Sequence, residues 1–375
     1  MLVSAALIVR DEAHTLDGCL ASLRGLVDEI VVVDTGSVDD TVAIAQRHGA
    51  RIGHEPWRDD FAHARNVALD LARGEWVLYI DADERIRSGD HDAARAALAD
   101  DHDRLAALVR FVPRVGWTPY REYRLWRNRP DIRFTGAMHE TIVPAVSAVA
   151  AAEALRVEPF DLVTIDHLGY EGDQRAKHRR DEPMLLAEIE RLPHRSYLYD
   201  HLARVYEGQG RSDLAVETWQ RGIAMTAERG TAEPDDFLLH VNLAFHLLAH
   251  RDAHDELGDV LAAALDRFDR TPSLELAAAR HEFAIGEPAA ALDRVRWILA
   301  LTPDEVIGSG NSYDARIFGE WAHDLRGLCH FALGDMSAAA EAFAAAEALA
   351  PAVAVYGMRR RLAEARSAAE TSSSP

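Results

Sequence analysis

Two aspartates one residue apart, Asp81 and Asp83, directly follow the apolar run Trp76-Val-Leu-Tyr-Ile80. At the end of an extended strand, residues i and i+2 project to the same side, so the two carboxylates would share one patch of space. That arrangement is unfavourable unless a cation lies between them. Carboxylate oxygens with open coordination positions suit Mg²⁺ or Mn²⁺ that carries substrate phosphates. The pair therefore predicts a divalent-metal site, and the structural alternative is a cap on a following helix.

A third aspartate, Asp34, ends the apolar run Glu29-Ile-Val-Val-Val33 in the same way. A carboxylate at this position is suited to accept the imide N–H of a uracil or to bind a ribose hydroxyl. The alternative is purely structural, with Gly36 in a turn and Asp39 capping the next helix. The two interpretations are compatible, because Asp34 can bind a ligand while Asp39 supports the backbone.

The elements that would position these aspartates alternate between strands and helices over the first eighty residues. The predicted strands are Leu2–Val9, Glu29–Val33, Ala50–His54 and Trp76–Ile80, and the predicted helices are Glu12–Leu23, Asp39–His48 and Phe61–Ala72. Strands separated by helices predict βαβ units and a mainly parallel sheet. Because ligands bind at the carboxyl ends of the strands in such sheets, the acidic residues lie where a ligand is expected.

A second half begins at about Ser196, where strand patterns stop and Ala, Leu and Glu dominate. Small and bulky residues recur there with gaps of 7, 5, 4 and 3, in the sets Ala203-Gly210-Ala215-Trp219-Gly222, Ala279-Gly286-Ala291-Val295-Ile298 and Gly327-Gly334-Ala339-Phe343-Ala346. The pattern resembles tetratricopeptide repeats, with a degenerate unit around 242–265, and favours repeats over a generic Ala-rich bundle. Residues 196–366 are therefore predicted to pack on the first domain, hold a peptide or partner, or form a homodimer. Residues 367–375 are predicted to be a disordered tail.

Composition and charge exclude several classes of protein. A formal net charge of −21 repels phosphate backbones and anionic lipid surfaces, so broad nucleic-acid binding is not expected. Cys19 and Cys329 lie far apart and outside any metal or redox spacing, which indicates buried thiols in a reducing compartment. The apolar start has no basic residue before it, and no apolar run reaches membrane-spanning length. We therefore expect a cytoplasmic protein.

Four ordered motifs resemble family-2 glycosyltransferases of the GT-A fold. The motifs are Leu7-Ile-Val-Arg-Asp-Glu12, Ile30-Val-Val-Val-Asp-Thr-Gly-Ser37 with Asp39 and Thr41, Ala64-Arg-Asn66, and Leu78-Tyr-Ile-Asp-Ala-Asp-Glu84. The resemblance covers roughly the first half of the chain. It implies an α/β GT-A domain, Rossmann-like with a mainly parallel sheet, over residues 1–195. It also implies a nucleotide-diphosphate sugar donor, a divalent metal (Mn²⁺ or Mg²⁺) and inversion at the anomeric carbon.

The same resemblance assigns expected roles to individual residues. The residues expected to bind the nucleotide sugar are Arg10, Glu12, Asp34, Arg65, Asn66, Asp81 and Ala82. Among these, Asp34 would hold the base and Arg65 the nucleotide or its diphosphate, while Asp81 and Asp83 would hold ribose and metal. Asp11 departs from the pattern, because relatives often carry Asn there and an aspartate adds negative charge beside the donor.

Further downstream, three segments resemble the branch of this family that has tetratricopeptide-like tails. The segments are Tyr123-Arg-Leu-Trp-Arg-Asn128, Ile132-Arg-Phe-Thr-Gly136 with His139 and Glu140, and Ile165-Asp-His-Leu-Gly-Tyr170 followed by Lys177, Arg179 and Arg180. That branch includes lipopolysaccharide-core glucosyltransferases and the sublancin-type peptide S-glycosyltransferases. The order of a catalytic half followed by a helical tail agrees with this branch.

Inversion requires a base that deprotonates the acceptor on the face opposite the leaving diphosphate. Glu140 is predicted to be this base, and Asp166 is a weaker candidate. His167 is predicted as a further metal ligand, whereas His139 is an alternative ligand or an acceptor contact. Weaker predictions place Lys177 and Arg180 beside the acceptor or the diphosphate. For each histidine, the alternative is a hydrogen-bonded structural residue.

The predicted function is a metal-dependent hexosyltransferase, with UDP-glucose as the expected donor and a peptide side chain or glycan as the acceptor. A nucleotidyltransferase would instead need a Gly-rich phosphate loop near the first strand, where the sequence reads Val9-Arg-Asp-Glu-Ala-His14. A tetratricopeptide scaffold or adaptor with a vestigial nucleotide-sugar domain is the remaining alternative. It predicts decay of the acidic motifs, yet all the expected acidic positions are occupied.

Overall fold

The computed structural model describes residues 1–87, 89–168, 175–233, 235–249 and 254–372. The chain forms two compact units. The first consists of residues 1–174 and 306–312, and the second of residues 175–305 and 313–375. The predicted domain boundary between residues 195 and 196 stays a prediction.

The first unit contains the strands and helices that the alternating pattern predicts. Its strands are β1 (Val3–Val9), β2 (Glu29–Asp34), β3 (Arg51–His54), β4 (Trp76–Tyr79), β5 (Glu84–Ile86), β6 (Arg104–Val112), β7 (Tyr120–Arg127) and β8 (Arg156–His167). Its helices are α1 (Leu16–Ser22), α2 (Thr41–Arg47), α3 (Phe61–Leu71), α4 (His91–Asp100) and α5 (Val143–Glu153). Each of the seven predicted elements is present, although α1 begins later than the predicted Glu12.

In the described residues these strands form one eight-stranded sheet in the order β3-β2-β1-β4-β7-β6-β8-β5. Strands β1 to β4 pair in parallel, β7 is antiparallel to both β4 and β6, and β8 is parallel to β6. The carboxyl ends of β1, β2, β3, β4, β6 and β8 therefore meet at one edge of the sheet. We call this the carboxyl edge. The predicted mainly parallel α/β fold is confirmed.

Both faces of the sheet are buried, which explains why its parallel strands are almost continuously apolar. Along β1, Val3, Ala5 and Leu7 pack in one apolar cluster, and Ala6 packs in the other. Successive side chains of a strand point to opposite faces, so one run of apolar residues contributes to two cores. This double burial fixes the register of β1 and with it the position of the residues that follow each strand.

The second unit is helical throughout its described residues. Its α-helices are α6 (Arg175–Arg191), α7 (Ser196–Gly208), α8 (Ser212–Arg229), α9 (Asp236–Ala249), α10 (His254–Arg267), α11 (Pro272–Ala284), α12 (Pro288–Ala300), α14 (Glu320–Ala332), α15 (Met336–Leu349) and α16 (Ala354–Ser372). A further helix, α13 (Pro303–Gly308), crosses the division between the two units, and Ala315–Phe318 form a 3₁₀ helix.

The repeated residues have the positions that the repeat pattern predicts. Gly210, Gly286 and Gly334 each have positive φ and separate α7 from α8, α11 from α12, and α14 from α15. Gly327 lies where α14 and α15 approach each other, and a Cβ built on it would be 2.5 Å from the ring of Phe343. The small residues therefore allow close helix pairs, as expected for tetratricopeptide-like repeats.

Part of the segment that was predicted to be disordered, residues 367–372, is helical in the structure. Helix α16 continues to Ser372, six residues into the segment 367–375, and the last three residues lie outside the described part of the chain. The physical reason is the local sequence, because Ala368, Ala369 and Glu370 all favour a helix.

Both cysteines are buried thiols, as predicted. Among the helices of the described residues, none is long and apolar enough to cross a membrane.

We predict that Gly327→Ala destabilises the chain. The new methyl group would overlap the buried Phe343 ring, and overpacking of this kind costs about 1–3 kcal/mol, more than the helix propensity that alanine adds. Gly308→Ala is the matched control, because a Cβ there meets no atom within 4 Å. Thermal unfolding followed by circular dichroism should show a lower midpoint for Gly327→Ala alone. Equal midpoints for the two variants would contradict the packing argument.

Candidate functional site

Asp34 lies at the carboxyl end of β2 with 8% of its side chain exposed. Its Oδ1 accepts a hydrogen bond from the backbone N–H of Ser37 at 3.0 Å. Its Oδ2 is 3.6 Å from Nδ1 of His54, the residue paired with Asp34 in β3. One carboxylate oxygen is thus held by the turn, and the other faces an imidazole that is 68% exposed.

Arg65 joins two of the predicted site carboxylates. It extends from α3, whose N-terminus is capped by the Asp60 side chain accepting from the N–H of His63. Its Nη1 is 3.0 Å from Oδ1 of Asp81, and its Nε donates to Oε1 of Glu140. Its guanidinium carbon lies 4.1 Å from the centre of the Tyr79 ring. The predicted nucleotide ligand Asp81 and the predicted base Glu140 therefore share one buried cation.

The charge of Asp81 depends on neighbouring arginines. Burial opposes its ionisation, but Arg65 and Arg124 attract the charged form and hold the pKa of Asp81 below its usual range. Burial also disfavours the charged form of Arg65, yet Asp81 and Glu140 raise its pKa. Both groups are consequently ionised at neutral pH. Arg65 is thus a positioning residue for two carboxylates, and its predicted direct contact with the nucleotide stays a prediction.

Asp83 and His167 lie side by side at the same edge. Nε2 of His167 is 3.1 Å from Oδ2 of Asp83, and Nδ1 of His167 is 2.8 Å from the carbonyl oxygen of Pro113. Burial alone would lower the pKa of His167, but the bond to Asp83 raises it above its usual value. The backbone carbonyl fixes the ring, so its other nitrogen faces the carboxylate. Carboxylate oxygens coordinate Mn²⁺ and Mg²⁺, and imidazole nitrogens coordinate divalent transition-metal ions.

The sequence-based picture of Asp81 and Asp83 is wrong in one respect. They do not project together from an extended strand, because β4 ends at Tyr79 and residues 82–83 form a turn before β5. Each carboxylate has its own partner, Arg65 for Asp81 and His167 for Asp83. In the part of the chain that the structure describes, no three His, Cys, Asp or Glu side chains form a ready metal cage. A cation held here would rely on two protein ligands and on substrate oxygens, which is a common arrangement for ions that carry phosphates.

A buried ion pair that sequence analysis missed supports this loop. Arg124 on β7 donates from both terminal nitrogens to Glu84, at 2.9 and 3.1 Å, and its Nε donates to Glu122. Glu84 in turn accepts from the backbone N–H of Asp81 at 2.8 Å. Burial raises the pKa of Glu84 to about 7, although Arg124 stabilises its ionised form. The available signal is the position of Arg124 directly before the apolar Leu125 and Trp126 of β7, since a charge that is buried beside them needs a partner.

The loop after β1 is tied to the loop after β2. The N–H of Glu12 donates to Oγ1 of Thr41 at 2.7 Å, and Oδ1 of Asp11 accepts from the N–H of Val38 at 2.7 Å. Asp11 has φ 55°, a left-handed conformation that Asn and Asp tolerate better than most residues. Burial raises the pKa of Glu12, and the charges of Asp83 and Asp81 raise it further. Glu12 is therefore within electrostatic range of the aspartates.

Three other residues predicted to bind the nucleotide sugar have different surroundings. Arg10 is exposed at the end of β1, and Ala82 is buried in the turn between β4 and β5. The amide of Asn66 bonds both backbone groups of Phe134, donating to its carbonyl at 3.0 Å and accepting from its N–H at 2.9 Å. Because its side chain is engaged in this way, Asn66 positions the segment before Glu140.

The remaining predicted site residues lie in both units of the chain. His139 adopts a left-handed backbone with φ 54° next to Glu140. Asp166 pairs with Arg87 through both carboxylate oxygens, so its side chain is already occupied. Arg180 belongs to the second unit, where its Nε donates to Asp181 at 2.8 Å. The side chain of Lys177 lies outside the described residues.

We predict that Arg124→Leu destabilises the chain by about 3–5 kcal/mol, because it leaves Glu84 buried without its partner. Arg129→Leu is the control, since Arg129 pairs with Asp131 and Glu153 at the surface and exposed pairs contribute little. Thermal or urea unfolding of both variants checks this difference. If Arg129→Leu were as unstable as Arg124→Leu, the buried Arg124–Glu84 pair would contribute no more stability than the surface pairs, and the prediction would be contradicted.

The model of glycosyl transferase family 2 matches residues 4–191. A TPR repeat-containing protein of Synechococcus elongatus is 34% identical over 302 residues, which cover 79% of this chain and 69% of that protein. The SPbeta prophage-derived glycosyltransferase SunS of Bacillus subtilis is 37% identical over 83 residues, 22% of this chain and 20% of SunS. The chain thus spans about a fifth of the length of SunS.

Among solved structures, the mannosyltransferase PcManGT of Pyrobaculum calidifontis, in complex with GDP-Man and Mn²⁺, is similar with a TM-score of 0.41 and 20% sequence identity. The match covers 78% of this chain and 86% of that protein. The family model spans half of this chain and includes every strand of the sheet described above except the first residue of β1, Val3. The chain belongs to glycosyl transferase family 2.

Proposed function

We propose that this chain is an inverting, metal-dependent glycosyltransferase that transfers a hexose from a UDP-sugar, with glucose as the expected sugar. The observation that carries the proposal is the arrangement at the carboxyl edge, where Asp34 ends β2 and Asp81 and Asp83 follow β4, the two strands that flank β1. Each carboxylate has a different polar neighbour. A ligand with chemically distinct parts, such as a base, a ribose and a diphosphate, fits this series.

The geometry of Asp34 favours uracil as the base. Ser37 already bonds Oδ1, so Oδ2 is the oxygen open to a ligand. A single imide N–H, as in uracil, needs one acceptor, whereas guanine presents two adjacent N–H donors that match a carboxylate with both oxygens free. His54 beside Oδ2 adds a polar group for the neighbouring carbonyl of the base.

For the ribose and diphosphate, Asp81 is the candidate nearest to the Arg65 cation, and exposed Arg10 lies at the end of the adjacent strand β1. Glu12 is within electrostatic range of Asp81, so it lies near the same part of the ligand. Asn66 and Arg65 are also proposed to bind the nucleotide sugar, and in addition they fix Phe134 and the two carboxylates. Ala82 provides a small residue in the turn next to the ligand.

Asp83 and His167 would hold the divalent ion, Mn²⁺ or Mg²⁺. Their donor atoms are 3.1 Å apart, so both can reach one cation once the hydrogen bond between them is replaced. The bound ion would supply charge to offset the leaving diphosphate. The carbonyl of Pro113 orients His167 for this role, since a ligating histidine is commonly fixed through its other ring nitrogen.

Glu140 is the proposed base. Its side chain is 10% exposed, and Arg65 bonds its Oε1, which leaves Oε2 to receive a proton. The acceptor, deprotonated by Glu140, would attack the anomeric carbon on the face opposite the departing diphosphate. The new glycosidic bond would therefore form with inversion. Asp166 fits this role less well, because Arg87 engages both of its oxygens. His139 is retained as an acceptor contact because it adjoins Glu140.

The acceptor is proposed to be a peptide side chain or a glycan. The helical repeats are proposed to hold the acceptor, a protein partner or a second copy, and Lys177 and Arg180 stay candidates for contacts with anions. We also propose a cytoplasmic location, consistent with the two buried thiols. A scaffold with a vestigial first unit is disfavoured, because all the expected acidic residues are present and Asp34, Asp81 and Asp83 each have a polar partner.

Donor hydrolysis tests the proposal. With UDP-glucose and Mn²⁺, the chain should release UDP, and excess EDTA should abolish the release. Asp83→Asn should lower the rate by at least about 100-fold, since metal stabilisation contributes several kcal/mol. Asp92→Asn, an exposed acidic residue of α4, is the control. Full activity with EDTA and with Asp83→Asn would overturn the metal assignment.

Glu140→Gln should lower kcat of sugar transfer by about 10²- to 10⁴-fold, the usual contribution of a general base, with KM for the donor nearly unchanged. Glutamine keeps the hydrogen bond with Arg65, so the fold should be preserved, and thermal unfolding checks this. Steady-state kinetics of Asp166→Asn provide the comparison. A larger loss of kcat at Asp166 than at Glu140 would transfer the role of base to Asp166.

A further inference from the structure

Two arginines of the second unit lie against one tryptophan. The guanidinium carbon of Arg316, from the 3₁₀ helix, is 4.0 Å from the centre of the Trp321 ring on α14. That of Arg280, from α11, is 4.8 Å from the same ring and 5.9 Å from the ring of Phe245 on α9. Two cations are therefore brought to one aromatic surface built from separate helices, although like charges repel each other.

The two arginines differ in their counterions. Arg316 pairs with both oxygens of Asp314, through its Nε at 2.9 and 3.1 Å. Arg280 forms no hydrogen bond or ion pair with any of the described residues, and it is half-buried. Asp324 is near enough to attract it, but Asp324 is engaged through both oxygens by Arg359. Arg280 thus has five N–H donors and no acceptor from the described protein.

Another half-buried arginine of the same unit has its charge compensated by carboxylates. Arg294, 24% exposed, donates to Glu282 at 2.7 Å and to Glu275 at 3.0 Å. A desolvated cation without such partners is unfavourable. Consistent with this, burial lowers the pKa of Arg280 although Asp324 and Tyr356 attract its charge, and Arg316 repels it. The described residues therefore give Arg280 aromatic contacts, with Trp321 and Phe245, but no carboxylate within hydrogen-bond distance.

We propose that Arg280 and Trp321 form a binding site for an oxyanion, a carboxylate or a phosphate, on the helical repeats. A planar guanidinium offers paired N–H donors that match either group, and stacking on the Trp321 indole fixes its orientation. Arg316 lies at the same ring, but its charge is compensated by Asp314, so Arg280 is the group that would bind the anion. The indole also offers a flat apolar surface to whatever carries the anion.

This site is independent of the sugar-transfer chemistry. All of its residues belong to the second unit, and none contributes to the carboxyl edge of the first. The oxyanion has two possible sources, an acidic side chain of a peptide or a free phosphate group. Because the formal net charge of −21 repels anions, an anion that binds this chain is expected to bind at a local cationic group such as Arg280.

The test compares the full-length chain with Arg280→Met, in which a long apolar side chain still packs on Trp321. Isothermal titration calorimetry in a chloride buffer measures binding of two probes, inorganic phosphate and the peptide acetyl-Glu-Glu-Glu-Glu-amide. The matched control is Arg270→Met, because Arg270 also stacks on a tryptophan, Trp297 at 4.3 Å, but is paired with Glu275.

We expect wild type and Arg270→Met to bind at least one probe, and Arg280→Met to bind it about 10- to 100-fold more weakly, the loss of hydrogen bonds to a charged group. Binding of the peptide alone would identify a carboxylate site, and binding of phosphate alone a phosphate site. No heat with either probe, or equal affinity in Arg280→Met and wild type, would overturn the proposal.

Thermal unfolding separates binding from a structural role. Because Arg280 lacks a counterion, Arg280→Met should leave the unfolding midpoint unchanged or raise it, whereas Arg294→Met should lower it by removing the partner of Glu282 and one partner of Glu275. A midpoint for Arg280→Met as low as that of Arg294→Met would show that Arg280 serves the fold, and the proposal would fail.

Discussion

The candidate site depends on one buried cation. Arg65 is 7% exposed, and it holds Asp81 at the end of β4 and Glu140 in a loop sixty residues further along the chain. A guanidinium is buried at this depth only when carboxylates compensate its charge and the geometry satisfies its donors. The two carboxylates and α3 are therefore fixed together. The same bonds place the proposed nucleotide ligand and the proposed base on either side of one group.

A second buried pair maintains the turn that carries the aspartates. Arg124 and Glu84 bond each other, and Glu84 bonds the backbone N–H of Asp81. Tyr79 lies between the two cations, with its ring centre 4.1 Å from the Arg65 carbon and 4.2 Å from that of Arg124. Both arginines therefore stack on the Tyr79 ring, and each is paired with a carboxylate, Arg65 with Asp81 and Arg124 with Glu84. Because each charge is compensated by an opposite one, many ionisable groups can lie together at one edge of the sheet. Removing one charge would leave its partner buried and unpaired.

Sequence reasoning predicted the parts of the fold that depend on local pattern. The alternation of apolar runs and amphipathic segments was sufficient for β1 to β4 and for the helix pairs around Gly210, Gly286 and Gly334. It also located the aspartates, because a polar residue that ends a buried parallel strand lies at the carboxyl edge. It did not predict which residue pairs with which.

Those pairings depend on distant parts of the chain. The turn after β4 directs Asp81 to Arg65 and Asp83 to His167, which the spacing of the two aspartates does not predict. The amide of Asn66 bonds the backbone of Phe134, 68 residues away, and its expected contact with the ligand stays a prediction. Arg124 was part of a recognised motif, but its partnership with Glu84 requires β7 to lie beside β4. Contacts of this kind follow from strand order, which local periodicity does not specify.

We propose that the carboxyl edge of the first unit binds a uridine diphosphate group together with a divalent ion. Calorimetric titration of UDP into the chain, in the presence of Mn²⁺ and again in the presence of EDTA, measures this binding. We expect saturable heat with one site per chain that disappears in EDTA and in Asp83→Asn. Absence of heat with Mn²⁺, or equal heat in EDTA, would contradict it.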